Sequence, residues 1–177
     1  MITFVVASVG RPSLRAALDS IECRNGDQIL VVGNMGDISD ERVRFLPCEP
    51  GKDWGHTERN RAAPHIQTRY FANLDDDDVF APGARALMAD AIDKNPARPT
   101  LFRMRYPNGY TLWSEPILRF GNVGTPMMLM PNDRIGTWGS FNGGDFHFLV
   151  SSGWNAEDFV WRSEVIAHLG HNAPGQS

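Results

Sequence analysis

Tyr70-Phe71-Ala72-Asn73-Leu74 is a short apolar run that stops at four consecutive carboxylates, Asp75-Asp76-Asp77-Asp78, shortly before Pro82. Adjacent acids repel one another, and gathering them in one concave place is costly unless a cation neutralises them. Oxygen-only ligands select a hard ion, Mg²⁺ or Mn²⁺. If the apolar run is a buried strand, its acids stand at the carboxyl end, where open α/β sheets hold ligands and where a metal could hold a diphosphate. The competing reading is a solvated acidic turn that caps a helix starting near Pro82, with Asp78 as the cap. Asp145 is the second acid of interest. It follows Gly143-Gly144, whose backbone permits close approach of a substrate, and it opens the amphipathic segment Phe146-His147-Phe148-Leu149-Val150. Such a carboxylate can accept a proton from a substrate or can simply cap the helix. Glu157-Asp158 is a further acidic pair, but it precedes a strand pattern and reads as an exposed turn.

The elements that must position these acids follow from periodicity. Ile2 to Ala7 is a β-branched and aromatic run broken by Ser8-Val9-Gly10-Arg11-Pro12-Ser13. Leu14, Ala17, Leu18 and Ile21 then form one helical face. Asn25-Gly26-Asp27 turns the chain into a second strand, Gln28 to Val32, and a right-handed crossover with parallel strands is the simplest account. Val43 to Leu46 reads as a third strand, and Asp53 to Ala63 as a polar helix that Pro64 should stop or kink. After the acid run, Ala84, Leu87, Met88, Ala91 and Ile92 keep a helical period across Pro82 to Asn95. Beyond Pro96 the pattern changes to short strands at Thr100 to Tyr106, Tyr110 to Ser114, Ile117 to Phe120 and Met127 to Met130, in connections short enough for hairpins. A helix from about Asp145 to Ser152 and a strand from Phe159 to Leu169 close the pattern.

With 177 residues, 42% of them hydrophobic, the chain can bury one sizeable core. The formal charge of −4 supplies no basic stripe, so direct binding of duplex nucleic acid is not expected. Cys23 and Cys48 lack metal-type spacing and suggest no disulfide framework, which fits a reducing, cytoplasmic setting. No apolar run approaches the roughly 20 residues of a membrane span, and no basic segment precedes the first strand, so a soluble, unprocessed protein is expected.

Four stretches, in order, resemble the family 2 glycosyltransferases of the GT-A fold: Ala7-Ser8-Val9-Gly10-Arg11-Pro12, Thr57-Glu58-Arg59-Asn60-Arg61, Leu74-Asp75-Asp76-Asp77-Asp78 with Pro82, and Gly144-Asp145-Phe146-His147-Phe148. The likeness is strong over residues 2–95 and weaker, though collinear, over 96–172. It implies an α/β fold: a single GT-A, Rossmann-like domain over 1–177, whose mainly parallel amino-terminal sheet is extended by a mixed carboxyl-terminal β region. Residues 1–95 would form the nucleotide-binding half, 96–172 the acceptor-binding half, and 173–177 a tail. The activity implied is metal-dependent, inverting transfer of a sugar from a nucleotide-diphosphate donor, UDP-sugar first, to an acceptor hydroxyl of unknown identity. By the same resemblance Ser8, Arg11 and Asn34 hold the nucleotide, Asn34 standing where the family usually has Asp, with Asp37 as a nearby substitute. Arg59 approaches the base or diphosphate, and Asp75 or Asp76 the ribose. Asp77 ligates Mn²⁺ or Mg²⁺, completed by His171 or its rival His168, and Asp145 is the catalytic base. Trp138, Trp154 and Phe141 would flank the acceptor, unless they pack the core. Two other functions use related parts: a sugar-phosphate nucleotidyltransferase, which would need a richer Gly, Arg and Lys loop than Ser8 to Ser13, and a non-catalytic nucleotide-sugar or glycan-binding module.

Overall fold

The computed structural model describes residues 1–170, and these form a mixed α/β structure around one nine-stranded sheet. Strand β1 (Ile2–Val9) lies between β2 (Gln28–Asn34) and β4 (Tyr70–Asp75), parallel to both, and β3 (Val43–Pro47) extends the parallel edge beyond β2. Seven of the eight β1 residues are buried, as are five in succession in β2 and in β4. Near-continuous apolar runs of this kind belong to strands covered on both faces. Beyond β4 the sheet becomes mixed. Strand β8 (Met128–Pro131) runs antiparallel to β4 and to β6 (Thr100–Arg105), which in turn lies parallel to β9 (Val160–His168). The two-residue strands β5 (Val79–Phe80) and β7 (Thr111–Leu112) pair antiparallel with β9 and β6.

The helices are α1 (Leu14–Asp19), α2 (His56–Ala62), α3 (Ala84–Lys94) and α4 (Gly144–Ser151). Helix α2 packs on β1 and β2, and α3 on β9. Pro64 sits inside a short 3-10 turn, Ala63–His65, that follows α2 directly, so the α-helix stops at Ala62 and its end tightens around the proline. The expected strand at Ile117 to Phe120 does not form. This segment is a largely exposed bend held by Asn122, whose amide nitrogen donates to the carbonyls of Glu115 and Ile117 at 2.8 and 2.7 Å. Glu157 and Asp158 form the expected surface turn, a 3-10 turn over Ala156–Asp158 with Glu157 exposed and Asp158 half-buried. Among the described residues no helix is long and apolar enough to cross a membrane. Cys23 and Cys48 are both free thiols.

Register decides which side chains meet. Ala7 of β1 pairs with Asp75 of β4, and Ser8 with Gly33 of β2, so the ends of three parallel strands reach the same edge of the sheet. The loops that leave this edge carry Ser8 to Arg11 and Asp76 to Asp78.

Candidate active site

The four acids at the end of β4 have four different environments. Asp76 is buried and fully engaged. One carboxylate oxygen accepts the Ser8 hydroxyl at 2.9 Å and the Val9 amide at 2.8 Å, and the other accepts the Arg11 guanidinium at 2.5 Å. Asp76 therefore shapes the loop after β1 rather than presenting a bare carboxylate to a ligand. Asp75 points the other way, to Arg59 of α2, with which it makes a short charge-assisted bond. Arg59 is only 2% exposed and also donates to the Trp54 carbonyl at 2.7 Å. Burial pushes the Asp75 carboxyl up to about 6; Arg59 opposes that, while Asp145, Asp77 and Asp76 add to it. The Asp77 side chain remains 27% exposed, 3.4 Å from the Arg11 guanidinium.

Asp75, Asp76 and Asp77 line a cavity of about 410 Å³ together with Ser8, Arg11, Lys52, Trp54 and Glu58. Among the described residues no three His, Cys, Asp or Glu side chains converge as a ready metal cage. That is still compatible with Mg²⁺ or Mn²⁺, because such ions are commonly held by one or two carboxylates, with substrate phosphates and water completing the shell. Asp77, an oxygen ligand on the cavity wall, fits this shared mode. His171 lies outside the described residues. His168 is on β9, where it pairs with Val79 and Arg105.

Trp54 separates this cavity from a second of about 170 Å³, and both touch Asp75. The Trp54 backbone is left-handed (φ 57°) and its side chain is 66% exposed, so the loop before α2 holds an indole at the boundary. The second cavity contains Asp145. This carboxylate does not cap α4: the N-cap is Gly143, and there is no side-chain capping bond. Asp145 instead accepts a short hydrogen bond from the Thr125 hydroxyl, and its Oδ1 lies 3.9 Å from Nε2 of the buried His56. Burial lowers the pKa of His56 and Arg59 lowers it further, against the pull of Asp145 and Asp53. The ring is thus favoured neutral near pH 7. A side chain at position 144 would collide with this ring and with the Gly139 carbonyl, so Gly144 is what allows α4 to start against His56. Asn60 locks the same region by exchanging two hydrogen bonds with the Trp138 backbone, at 2.8 and 2.9 Å. The Arg59-Asn60 pair thus serves two strand ends at once: Arg59 braces Asp75, and Asn60 ties α2 to the loop that leads into α4.

Asp78 does not cap α3, whose N-cap is Gly83. It is buried, accepts the Gly170 amide at 2.9 Å, and its other oxygen has no hydrogen-bond partner among the described residues. Burial first, then the charges of Asp75 and Asp77, push it up to about 8, despite the Gly170 amide and Arg59. An unfolded Asp titrates near about 3.9, so between about pH 4 and pH 8 the folded state holds a proton that the unfolded state has released. Stability from this source is complete below that window and is lost as pH rises through it. In metal-free buffer the melting temperature is expected to fall from pH 5 to pH 8, and Asp78→Asn to flatten the decline, leaving the part due to Asp75. An unchanged slope in the variant would show that Asp78 is ionised in the fold.

The remaining sequence candidates are distributed as follows. Asn34 is exposed at the end of β2, accepts the Gly36 amide at 2.8 Å, and is not on the wall of the 410 Å³ cavity. Trp138 is buried and stacked on Phe148 at 3.8 Å between ring centroids, so it is core and does not present a face to an acceptor. Trp154 packs against the core beneath the Arg134 guanidinium. Phe141 is exposed, edge-on to His147.

A family model described as glycosyl transferase family 2 matches residues 31–150, about two thirds of the chain, including α2, the acid run and Asp145. The chain belongs to glycosyl transferase family 2. No curated protein sequence matches significantly. Among solved structures, this family 2 chain is similar to S. aureus TarS 1-349, with a TM-score of 0.72 and 15% identity over 95% of this chain and 60% of that one. The same TarS segment in complex with UDP-GlcNAc gives a TM-score of 0.71 and 13% identity, over 99% and 59% of the two chains. Mannosyltransferase PcManGT from Pyrobaculum calidifontis, in complex with GDP-Man and Mn²⁺, gives 0.68 and 15%, over 98% and 58%. At such identities the likeness is one of fold, and that fold is GT-A. The present chain spans about 60% or less of the length of these matches.

In this family 2 site, sequence reasoning missed Trp54, His56 and Thr125. Trp54 had a signal, an indole in the polar, glycine-bounded stretch Gly51-Lys52-Asp53-Trp54-Gly55, where burial is not expected. Thr125 had none, because its role depends on the loop before β8 reaching α4.

Proposed function

We propose that this protein transfers a sugar from a nucleotide-diphosphate donor to an acceptor hydroxyl with inversion, with UDP-sugar as the first donor to test. The observation that carries the reading is the junction of two cavities at Asp75 and Trp54, with Asp77 on one side and the uncapped Asp145 on the other. A donor lying in the 410 Å³ cavity would meet Arg11 and Lys52, whose charges suit a diphosphate. Asp77 would share Mn²⁺ or Mg²⁺ with the diphosphate oxygens, and the bound cation would offset charge on the leaving group. Ser8, shaped by Asp76, lines the nucleotide side, and Arg59 acts through Asp75.

In the chemical step Asp145 accepts the acceptor's hydroxyl proton as the oxygen attacks the anomeric carbon, and the bond from that carbon to the diphosphate oxygen breaks on the opposite face. Thr125 orients Asp145 by donating to it. His56, neutral and close, places no positive charge beside that carboxylate. The donors named in the TarS and PcManGT complexes, UDP-GlcNAc and GDP-Man, define the test panel alongside UDP-glucose. Incubation with Mn²⁺ and mixed glycosides should release free nucleoside diphosphate. Pyrophosphate would instead favour the nucleotidyltransferase reading, and binding without any product the non-catalytic module.

A further inference from the structure

Next to Asp145 lies a third cavity, of about 360 Å³, that neither the acid run nor the loop after β1 reaches. Its walls come from β6, β7 and the loops on either side of β8. Tyr106, Tyr110, Leu112, Phe120, Val123 and Phe146 are among the residues that line it, and among the described lining residues Asp145 is the only charged side chain. Phe120 is 61% exposed, and its ring lies against the backbone of Gly143, where any side chain would collide with it. An exposed phenyl ring is thereby held against the N-cap of α4, the helix that carries Asp145. Tyr106 and Tyr110 lie 5.8 Å apart between centroids, tilted by 35°, on the β6–β7 hairpin side of the same cavity.

Resting on the glycosyl-transfer reading above, we infer that this cavity is the acceptor subsite and that it takes an uncharged sugar ring, an apolar-faced glycoside, in preference to phosphorylated or acidic acceptors. Aromatic faces complement the C–H faces of a pyranose ring, while the ring's hydroxyls can reach Asn142 and the tyrosines. A phosphate or carboxylate on the acceptor would lose hydration against walls whose described residues include no cation to replace it. It would also enter the field of Asp145, which stands on the wall of this cavity. A cationic acceptor would pair with Asp145 and make that carboxylate a poorer base. The size of the cavity is at the lower end of small-molecule sites, which suits one or two sugar rings rather than a long polymer held along its length.

Two measurements test the assignment. The first is saturation-transfer NMR of methyl β-glucoside, p-nitrophenyl β-glucoside, glucose 6-phosphate and glucuronate with the wild-type chain, and it requires no turnover. The neutral glycosides should show contact with the protein, the aryl glycoside most strongly, and the two anions should not. In Phe120→Ala the aryl glycoside's dissociation constant should rise about tenfold, which is ~1.4 kcal/mol. Tyr110→Ala, altering another lining side chain, should give a loss of similar size. The second is transfer to the same four compounds with the donor that releases nucleoside diphosphate; neutral acceptors should be used at least about tenfold better by kcat/KM. Equal or better binding of the anions overturns the proposal, as does glycoside binding that neither substitution weakens. Absence of any glycoside contact overturns it as well. Failure of the glycosyl-transfer reading itself looks different: no nucleoside diphosphate is bound or released with any donor, whatever the NMR shows for glycosides.

Discussion

Asp145→Asn is expected to lower sugar transfer by about 10² or more while nucleoside diphosphate binding persists. The amide oxygen can still accept the Thr125 hydroxyl, and Gly143 rather than Asp145 is the helix N-cap, so neither the loop nor α4 loses its support. What disappears is the capacity to take a proton. In kinetic terms kcat should fall with little change in the donor's dissociation constant, a loss confined to the transition state. The rival pair lies on a 3-10 turn that does not line the cavity of Asp145: the Asp158 carboxylate accepts the Asn155 amide at 2.9 Å, and the backbone carbonyls of Glu157 and Asp158 accept from Arg98. Near-normal transfer in Asp145→Asn, with Glu157→Gln or Asp158→Asn inactive, would move the base to that 3-10 turn.

For Asp77→Asn the sign of the effect discriminates between two pictures. If the acid run met the donor only as a patch of like charge, removing one negative charge would tighten nucleoside diphosphate binding. If Asp77 shares a divalent ion with the diphosphate, the same substitution weakens binding, because the amide is a poor replacement for a hard anionic ligand. We expect calorimetry of UDP and GDP with Mn²⁺ to show weakening of at least about tenfold, or ~1.4 kcal/mol, and EDTA to do the same to the wild type. Asp76→Asn does not make the same test, since Asp76 holds the Ser8 to Arg11 loop and its loss would disturb the cavity wall itself. Equal affinity in all three conditions would return Asp77 to the role of an acidic turn residue.

The elements and the approximate location of the site were legible because they depend on local pattern. Continuous apolar runs marked β1, β2 and β4, helical spacing marked α1 and α3, and the abrupt change from Leu74 to Asp75 marked the strand end that the sheet register brings beside Ser8. These signals lie within windows of a few residues, where burial leaves a direct trace in residue type. The division of labour among Asp75, Asp76, Asp77 and Asp78 was decided by tertiary structure alone. Four identical residues carry no local distinction, and each acquired its role from a partner far away in sequence: Arg59, Ser8 with Arg11, the cavity itself, and Gly170. Trp138 and Phe120 make the same point in opposite directions. Both are aromatic residues beside glycines, yet Trp138 stacks in the core on Phe148 while Phe120, expected to end a strand, stands exposed against Gly143. Composition states how much apolar surface a segment has, but whether that surface is covered depends on which distant element arrives to cover it.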